Sequence, residues 1–290
     1  MQAITPAEQI ICNLLYDRTG QEIAPSRRWR IHSALAGLFR EFEVTSAEQL
    51  ACLLSMPGQD RLADRIVEAL LNNETYFFRD PAYFDVLANT VLPTLHERKG
   101  GCRQVRIWSA GCSTGQEALS LAMLFVDQVK MWDGWDIEIL GTDISKKAIK
   151  RAKTGTYSQF EIQRGLGVKQ MLHHFTDAGN GWHATDKLRG LTRFKVRSLL
   201  DPPPPERPFD LVLCRNVMLY FSPHIRVRAF ERLAQGLSDT GMLMLGAGEH
   251  APETNAWFEP KLAEYGLFRK RANQNRNSSG FEASPIRATG

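Results

Sequence analysis

Up to about Leu71, apolar side chains recur at helical spacing. Ile31, Leu35, Leu38, Phe39 and Phe42 share one face, and Leu50, Leu53, Leu54, Leu62, Ile66 and Leu70 predict two more short helices around the break at Met56-Pro57-Gly58. Residues 1–71 therefore read as a small helical domain. Residues 72–99 form a connecting segment too rich in aromatics, Tyr76, Phe77, Phe78, Tyr83 and Phe84, to be a free linker, and it is expected to pack beside a site. From about 100 to 270 strand-like runs at 105–108, 137–142, 193–200, 209–214, 242–245 and 265–269 alternate with helical stretches such as 144–153 and 225–237. That alternation predicts an α/β domain with a doubly wound, mostly parallel sheet and a site outside the strands' carboxyl ends. The tail, 271–290, is rich in Asn, Ser, Arg and Gly and reads as disordered.

The first run breaks into Ser109-Ala110-Gly111-Cys112-Ser113-Thr114-Gly115 and resumes with helical spacing. Gly111 and Gly115 let backbone approach a ligand, and the helix that follows aims unpaired N–H groups at the turn. The second run ends in Asp143, where an open parallel sheet sets a carboxylate beside ribose hydroxyls. The order G-x-x-x-G, followed at once by Gln116-Glu117, is not the G-x-G-x-x-G of a dinucleotide site, and a carboxylate there repels a pyrophosphate. It suits the ammonium of a phosphate-free cofactor such as S-adenosylmethionine. An ordinary sheet-to-helix turn with a solvent-facing glutamate is the alternative. At the end of the buried run 209–214, Arg215, Asn216 and Tyr220 are expected to face the crevice.

Composition narrows the classes. A chain of 290 residues with 43% hydrophobic and 23% charged positions is long enough for two domains of a soluble globular protein. No apolar stretch approaches a membrane span and no signal-peptide pattern opens the chain, so a cytoplasmic location without membrane insertion is expected. Five cysteines, without a C-x-x-C pair, read as reduced thiols, Cys112 among them as a small turn residue. His173-His174 reads as a helix surface because no third ligand stands at metal-site spacing, and no metal is expected. The prolines 202–205 read as a stiff loop. A net charge of +4 does not demand nucleic acid, and no such partner is expected. It does fit an acidic partner. Arg27, Arg30 and Arg40 fall away from the apolar stripe of the 31–42 helix, with Arg28 at its margin, and form either a solvated face or a docking surface.

Four separated blocks resemble the chemotaxis receptor methyltransferases of the CheR type: residues 73–79 (N-x-T-x-F-F-R), 108–117 (W-S-A-G-x-S-T-G-x-E), 142–144 (an acidic strand end) and 209–221 (F-D-x-[IV]-x-C-R-N-V-[ML]-[IL]-Y-F). The resemblance covers residues 71–270 and implies a sheet domain of the class I S-adenosylmethionine-dependent methyltransferase type. It implies methyl transfer from S-adenosylmethionine to glutamate carboxylates on the cytoplasmic helices of chemoreceptors, giving methyl esters and S-adenosylhomocysteine. Carried over by position, it makes Asn73, Thr75, Arg79, Glu117, Asp143, Asn216 and Val217 cofactor contacts, beside Gly111 in the turn and Arg215 at the strand end. Arg79 and Tyr220 match the residues nearest the transferable methyl. Ser198-Leu199 stands where the family often has Asn-Leu, and Gly246-Ala247-Gly248-Glu249 lacks the hydroxyl of the family's G-x-S-E, which weakens any role there. Some members carry a small β-subdomain that grips a receptor's C-terminal peptide, and its counterpart is expected at about 175–194. Arg27, Arg28 and Arg30 are the expected receptor-docking residues. Rival readings are a nicotinamide-dependent oxidoreductase, a methyltransferase for a small molecule or nucleic acid, and a non-catalytic S-adenosylmethionine sensor.

Overall fold

The computed structural model describes residues 4–206, 208–251 and 256–272. Four helices open the chain: α1 (Pro6–Thr19), α2 (Arg30–Glu41), α3 (Ala47–Leu54) and α4 (Asp60–Leu70). α1 starts on a capping box, with Thr5 Oγ1 accepting from the Glu8 N–H and Glu8 accepting from the Thr5 N–H, and it stops where Gly20 turns left-handed at φ 72°. Ile11, Leu15, Ile31, Leu35, Leu50, Leu62 and Ile66 make its core. α2 starts later than the basic run suggests: Pro25–Arg27 is a 3₁₀ turn, so Arg27 and Arg28 precede the helix.

Two helices, α5 (Pro81–Val86) and α6 (Leu92–Lys99), lead into the sheet domain. There β1 (Gln104–Ala110), α7 (Gln116–Asp127), α8 (Val129–Trp132), β2 (Asp136–Asp143) and α9 (Lys146–Thr154) come first. A small unit follows, made of β3 (Thr156–Tyr157), α10 (Gln159–Gln163), α11 (Val168–His174), β4 (Phe175–Asp177) and β5 (Trp182–Ala184). Then come α12 (Asp186–Leu191), β6 (Thr192–Val196), β7 (Phe209–Cys214), α13 (Pro223–Gly236), β8 (Leu237–Leu245), β9 (Phe258–Leu262) and β10 (Leu267–Lys270). The main sheet runs β6-β2-β1-β7-β8-β10-β9. Its first five strands pair in parallel and the last two join antiparallel, which is the doubly wound, mostly parallel architecture. β7 is buried along its whole length, as a central strand with helices on both faces must be.

The small three-stranded sheet, β3-β5-β4, begins at Thr156, ahead of the expected 175–194. Residues 192–194 of that span belong to β6 and join the main sheet instead, because the register of β6 against β2 continues its parallel ladder. Arg271 is also held, its N–H donating to the Trp257 carbonyl and its Nε to that of Phe258. Residues 273–290 of the expected tail lie outside the described residues.

The connecting segment is core material. Phe77 is fully buried edge-on to Tyr157 and Phe175, so the small sheet and the segment share one aromatic cluster. Gly165, at φ 106°, passes so close that a Cβ there would stand 1.9 Å from the Phe77 carbonyl oxygen. Phe77→Ala is expected to lower unfolding stability by about 3–5 kcal/mol. Chemical denaturation checks this, and a loss under 1 kcal/mol would mean that the cluster repacks without it.

Candidate active site

β1 lies between β2 and β7, so the chain winds away from it in both directions and a crevice opens at the three carboxyl ends. This cleft holds about 880 Å³ of solvent-open space. The connecting segment brings Asn73, Thr75 and Arg79 to its wall; the glycine turn and α7 bring Gly111 and Glu117. Asp143 stands at the end of β2, Ser198 and Leu199 after β6, and Arg215, Asn216, Val217 and Tyr220 after β7. Arg27 and Arg30 line an adjoining hollow that shares Asn72 and Tyr220 with the cleft, whereas Arg28 lines neither.

Hydrogen bonds fix the floor. Asp143 accepts from the Ser113 N–H at 2.8 Å and the Ser145 N–H at 2.9 Å, and Ser113 Oγ donates to the Asn73 carbonyl at 2.6 Å. Burial nonetheless pushes the Asp143 carboxyl above its ordinary pKa. Gly111, at φ 84°, admits no side chain, since a Cβ would meet Val217 Cγ2 at 2.4 Å.

Arg215 lines the cleft as expected, with its guanidinium engaged in ion pairs. Its side chain is 1% exposed, and Nη2 donates to Asp80 Oδ2 at 2.9 Å and to the Arg79 carbonyl at 2.5 Å, while Nη1 donates to Glu117 Oε2 at 3.2 Å. Glu117 also accepts from the Ser109 hydroxyl at 2.7 Å. Arg215 therefore shapes the wall and sets the direction of Glu117. Arg79 keeps most of its five donors free, with one hydrogen bond to the Glu74 carbonyl and its guanidinium 5.7 Å from the Tyr76 ring centre. The Tyr220 hydroxyl accepts from the Asn72 amide, and the Arg27 guanidinium lies 5.6 Å from the Tyr220 ring centre.

Residues 73–266 match the family described as CheR methyltransferase, SAM binding domain. The chain belongs to the CheR methyltransferase family. Relatives include a chemotaxis protein methyltransferase of Vibrio parahaemolyticus, 31% identical over 93% of this chain and 99% of that protein. Another is chemotaxis protein methyltransferase 1 of Pseudomonas aeruginosa, 33% identical over 79% of this chain and 85% of that one.

The CheR-family cleft fits S-adenosylmethionine on its own donors. Three carboxylates, Glu74, Glu117 and Asp143, and three arginines, Arg79, Arg197 and Arg215, line it, so no excess of positive charge opposes a cationic cofactor, and Glu117 and Asp143 stand ready for its ammonium and hydroxyl groups. Glu117, in the first turn of α7, occupies the end where a pyrophosphate would need free N–H groups. Cys112 is buried, and burial raises its pKa well above the ordinary thiol value, so it remains an inert turn residue.

The CheR-type G-x-S-E turn keeps a role here without its hydroxyl. Glu249 is buried and accepts from the N–H groups of Asn216 at 2.7 Å, Gly246 at 2.9 Å and Leu219 at 3.3 Å. It thereby holds Asn216 in a left-handed conformation, φ 59°, and fixes the loop that carries Tyr220. Ser198 Oγ accepts from the Leu200 N–H, a turn bond that leaves its proton free to donate. Sequence reasoning underrated Glu249 and missed Asp80, Asn72 and Glu68. Asp80 alone had a signal, an acid between Arg79 and the helix-starting Pro81. Glu68 had none: its carboxylate reaches from α4 to accept from the Ser145 hydroxyl and, at 3.1 Å, the Lys146 N–H at the start of α9. His173-His174 also needs correction, because folding brings the Asp127 carboxylate beside the pair as a third potential ligand.

Glu249→Ala is expected to weaken binding of S-adenosylhomocysteine by roughly 1.5–3 kcal/mol, whereas Glu249→Gln, which keeps an acceptor, retains most of it. Calorimetry decides, and equal affinity in Glu249→Ala would detach the loop geometry from cofactor binding.

Proposed function

We propose that this chain transfers methyl groups from S-adenosylmethionine to glutamate side chains on the cytoplasmic helices of chemoreceptors, leaving glutamate methyl esters and S-adenosylhomocysteine, as part of adaptation in chemotaxis. Family membership supplies the reaction class. The observation that carries the substrate assignment is the placement of Arg79 and Tyr220 on the cleft wall with Arg27 and Arg30 just outside. This is a cationic approach to a small reaction site, suited to an acidic helix.

When bound, S-adenosylmethionine supplies a sulfonium methyl group that a carboxylate takes by direct displacement, so the protein needs no general base. Its residues have to bind, align and keep the site dry. Asp143 receives ribose hydroxyls, and Glu117, held by Arg215 and Ser109, receives an ammonium. Gly111 and Val217 shape the floor, while Asn73, Thr75, Ser198, Leu199 and Asn216 complete the cofactor's surroundings. Arg79 orients the incoming carboxylate with its free donors, and Tyr220, aligned by Asn72, walls the reacting atoms. In this reading the protein works in the cytoplasm at receptor arrays and uses no metal for the transfer. Among the described residues no helix is long and apolar enough to cross a membrane. A receptor's C-terminal peptide is a second partner, with β4 as an edge strand for it.

Incubation with labelled S-adenosylmethionine and receptor-containing membranes should label receptor, and mild alkali should release the label as methanol. Arg79→Ala should cut turnover on the order of 100-fold with an unchanged circular dichroism spectrum. Alkali-stable label, or none despite cofactor binding, would overturn the reading. Arg27→Glu should raise the KM for receptor roughly tenfold without altering cofactor affinity; an unchanged KM would return Arg27 to a solvated face.

A further inference from the structure

We propose that Asp127, His173 and His174 form a site for one divalent transition-metal ion of the zinc class, which braces the small sheet against the main domain. Asp127 is the last residue of α7, and the two histidines end α11 immediately before β4. The site lies ten residues, about 15 Å, along α7 from Glu117, so it is separate from the cofactor cleft.

The geometry is that of a cluster already gathered. One ligand atom from each of the three side chains lies within 4.8 Å of the others, and His174 Nε2 stands 2.9 Å from Asp127 Oδ1. Ligands of one tetrahedral ion at bond lengths of about 2.0–2.2 Å sit roughly 3.3–3.6 Å apart. The His174–Asp127 pair, now at hydrogen-bond distance, lies a few tenths of an ångström inside one such edge, and rotation of the exposed Asp127 and His173 side chains can open that edge and bring in the third ligand. His174 is fixed: its side chain is 2% exposed and its carbonyl accepts from the Thr185 N–H at 2.9 Å. Two imidazoles and one carboxylate are a donor set that suits zinc and its neighbours and leaves a position for water. Two helices also end here, and their carbonyl termini favour a cation.

A simple hydrogen bond between His174 and Asp127 would explain that pair but not use His173. His173 is exposed and lies outside the methyl-transfer machinery, so His173→Ala is the discriminating variant and is expected to fold and to bind S-adenosylhomocysteine normally. Full-length protein without a histidine tag should bind one Co²⁺ per chain with a visible d–d absorption band that Zn²⁺ abolishes. His173→Ala and Asp127→Asn should each weaken that binding at least about tenfold, the scale of a lost ligand or its support. Zn²⁺ should also raise the Tm of the unmodified protein and not that of His173→Ala. Absence of the band overturns the proposal. Equal affinity in His173→Ala does so too, by assigning the ion to other groups such as the exposed Cys52 and Cys102.

Discussion

The buried guanidinium of Arg215 is the knot on which the cleft depends. It joins three stretches far apart in sequence: Asp80 in the connecting segment, Glu117 at the start of α7, and its own position at the end of β7. Tyr83 and Phe84 close over it with ring centres 5.3 and 5.4 Å from the guanidinium. A charge so far out of water is tolerable only while its partners remain, and removing one of them leaves an uncompensated ion in a dry place, at a cost of about 3–5 kcal/mol. The same guanidinium aims Glu117 and donates a hydrogen bond to the carbonyl of Arg79. The arrangement of the site is thus a by-product of satisfying one buried cation.

Backbone strain follows the same logic. Among the described residues six non-glycine positions have positive φ; two of them, Ser113 and Asn216, line the cleft, and two more, Phe78 and Asp80, flank Arg79 on its wall. Each is held by a nearby polar group. The Phe78 N–H donates to Ser120, the Ser113 N–H to Asp143 and the Asn216 N–H to Glu249, while the Asp80 carboxylate is taken by Arg215. Turns that an ordinary loop would relax are over-determined here. That gives the side chains between them, Arg79 above all, defined starting positions.

The parallel strands and the glycine turn were legible because local chemistry dictates them: β1 and β7 are mostly apolar, buried runs, and Gly111 and Gly115 break the chain where it must bend. The residues that face the crevice followed from strand ends and from the family resemblance. What could not be read was pairing across distance. Nothing near Arg215 in sequence announces Asp80 and Glu117 as its partners. β9 escaped because its mixed sequence, Phe258–Leu262, becomes a strand only against β10. The small sheet reaches back to a two-residue strand, too short for any period to show. Spacing along the chain also hid Asp127 from His173 and His174, whose meeting is a property of where two helices end.

The helical domain reaches the sheet domain through backbone as well as side chains. Gln21 bridges to Phe221, the Glu22 N–H donates to the Tyr220 carbonyl at 2.7 Å, and Glu68 caps α9 directly after Asp143. A chain divided near residue 71 would strand these contacts on the loop that carries Tyr220 and on the helix behind Asp143. For anyone recombining such enzymes, the inheritable unit is therefore neither domain. A chimera that takes its first seventy-odd residues from a relative inherits a new fit at the loop that carries Tyr220 together with any new surface of the helical domain, and the two traits cannot be exchanged one without the other.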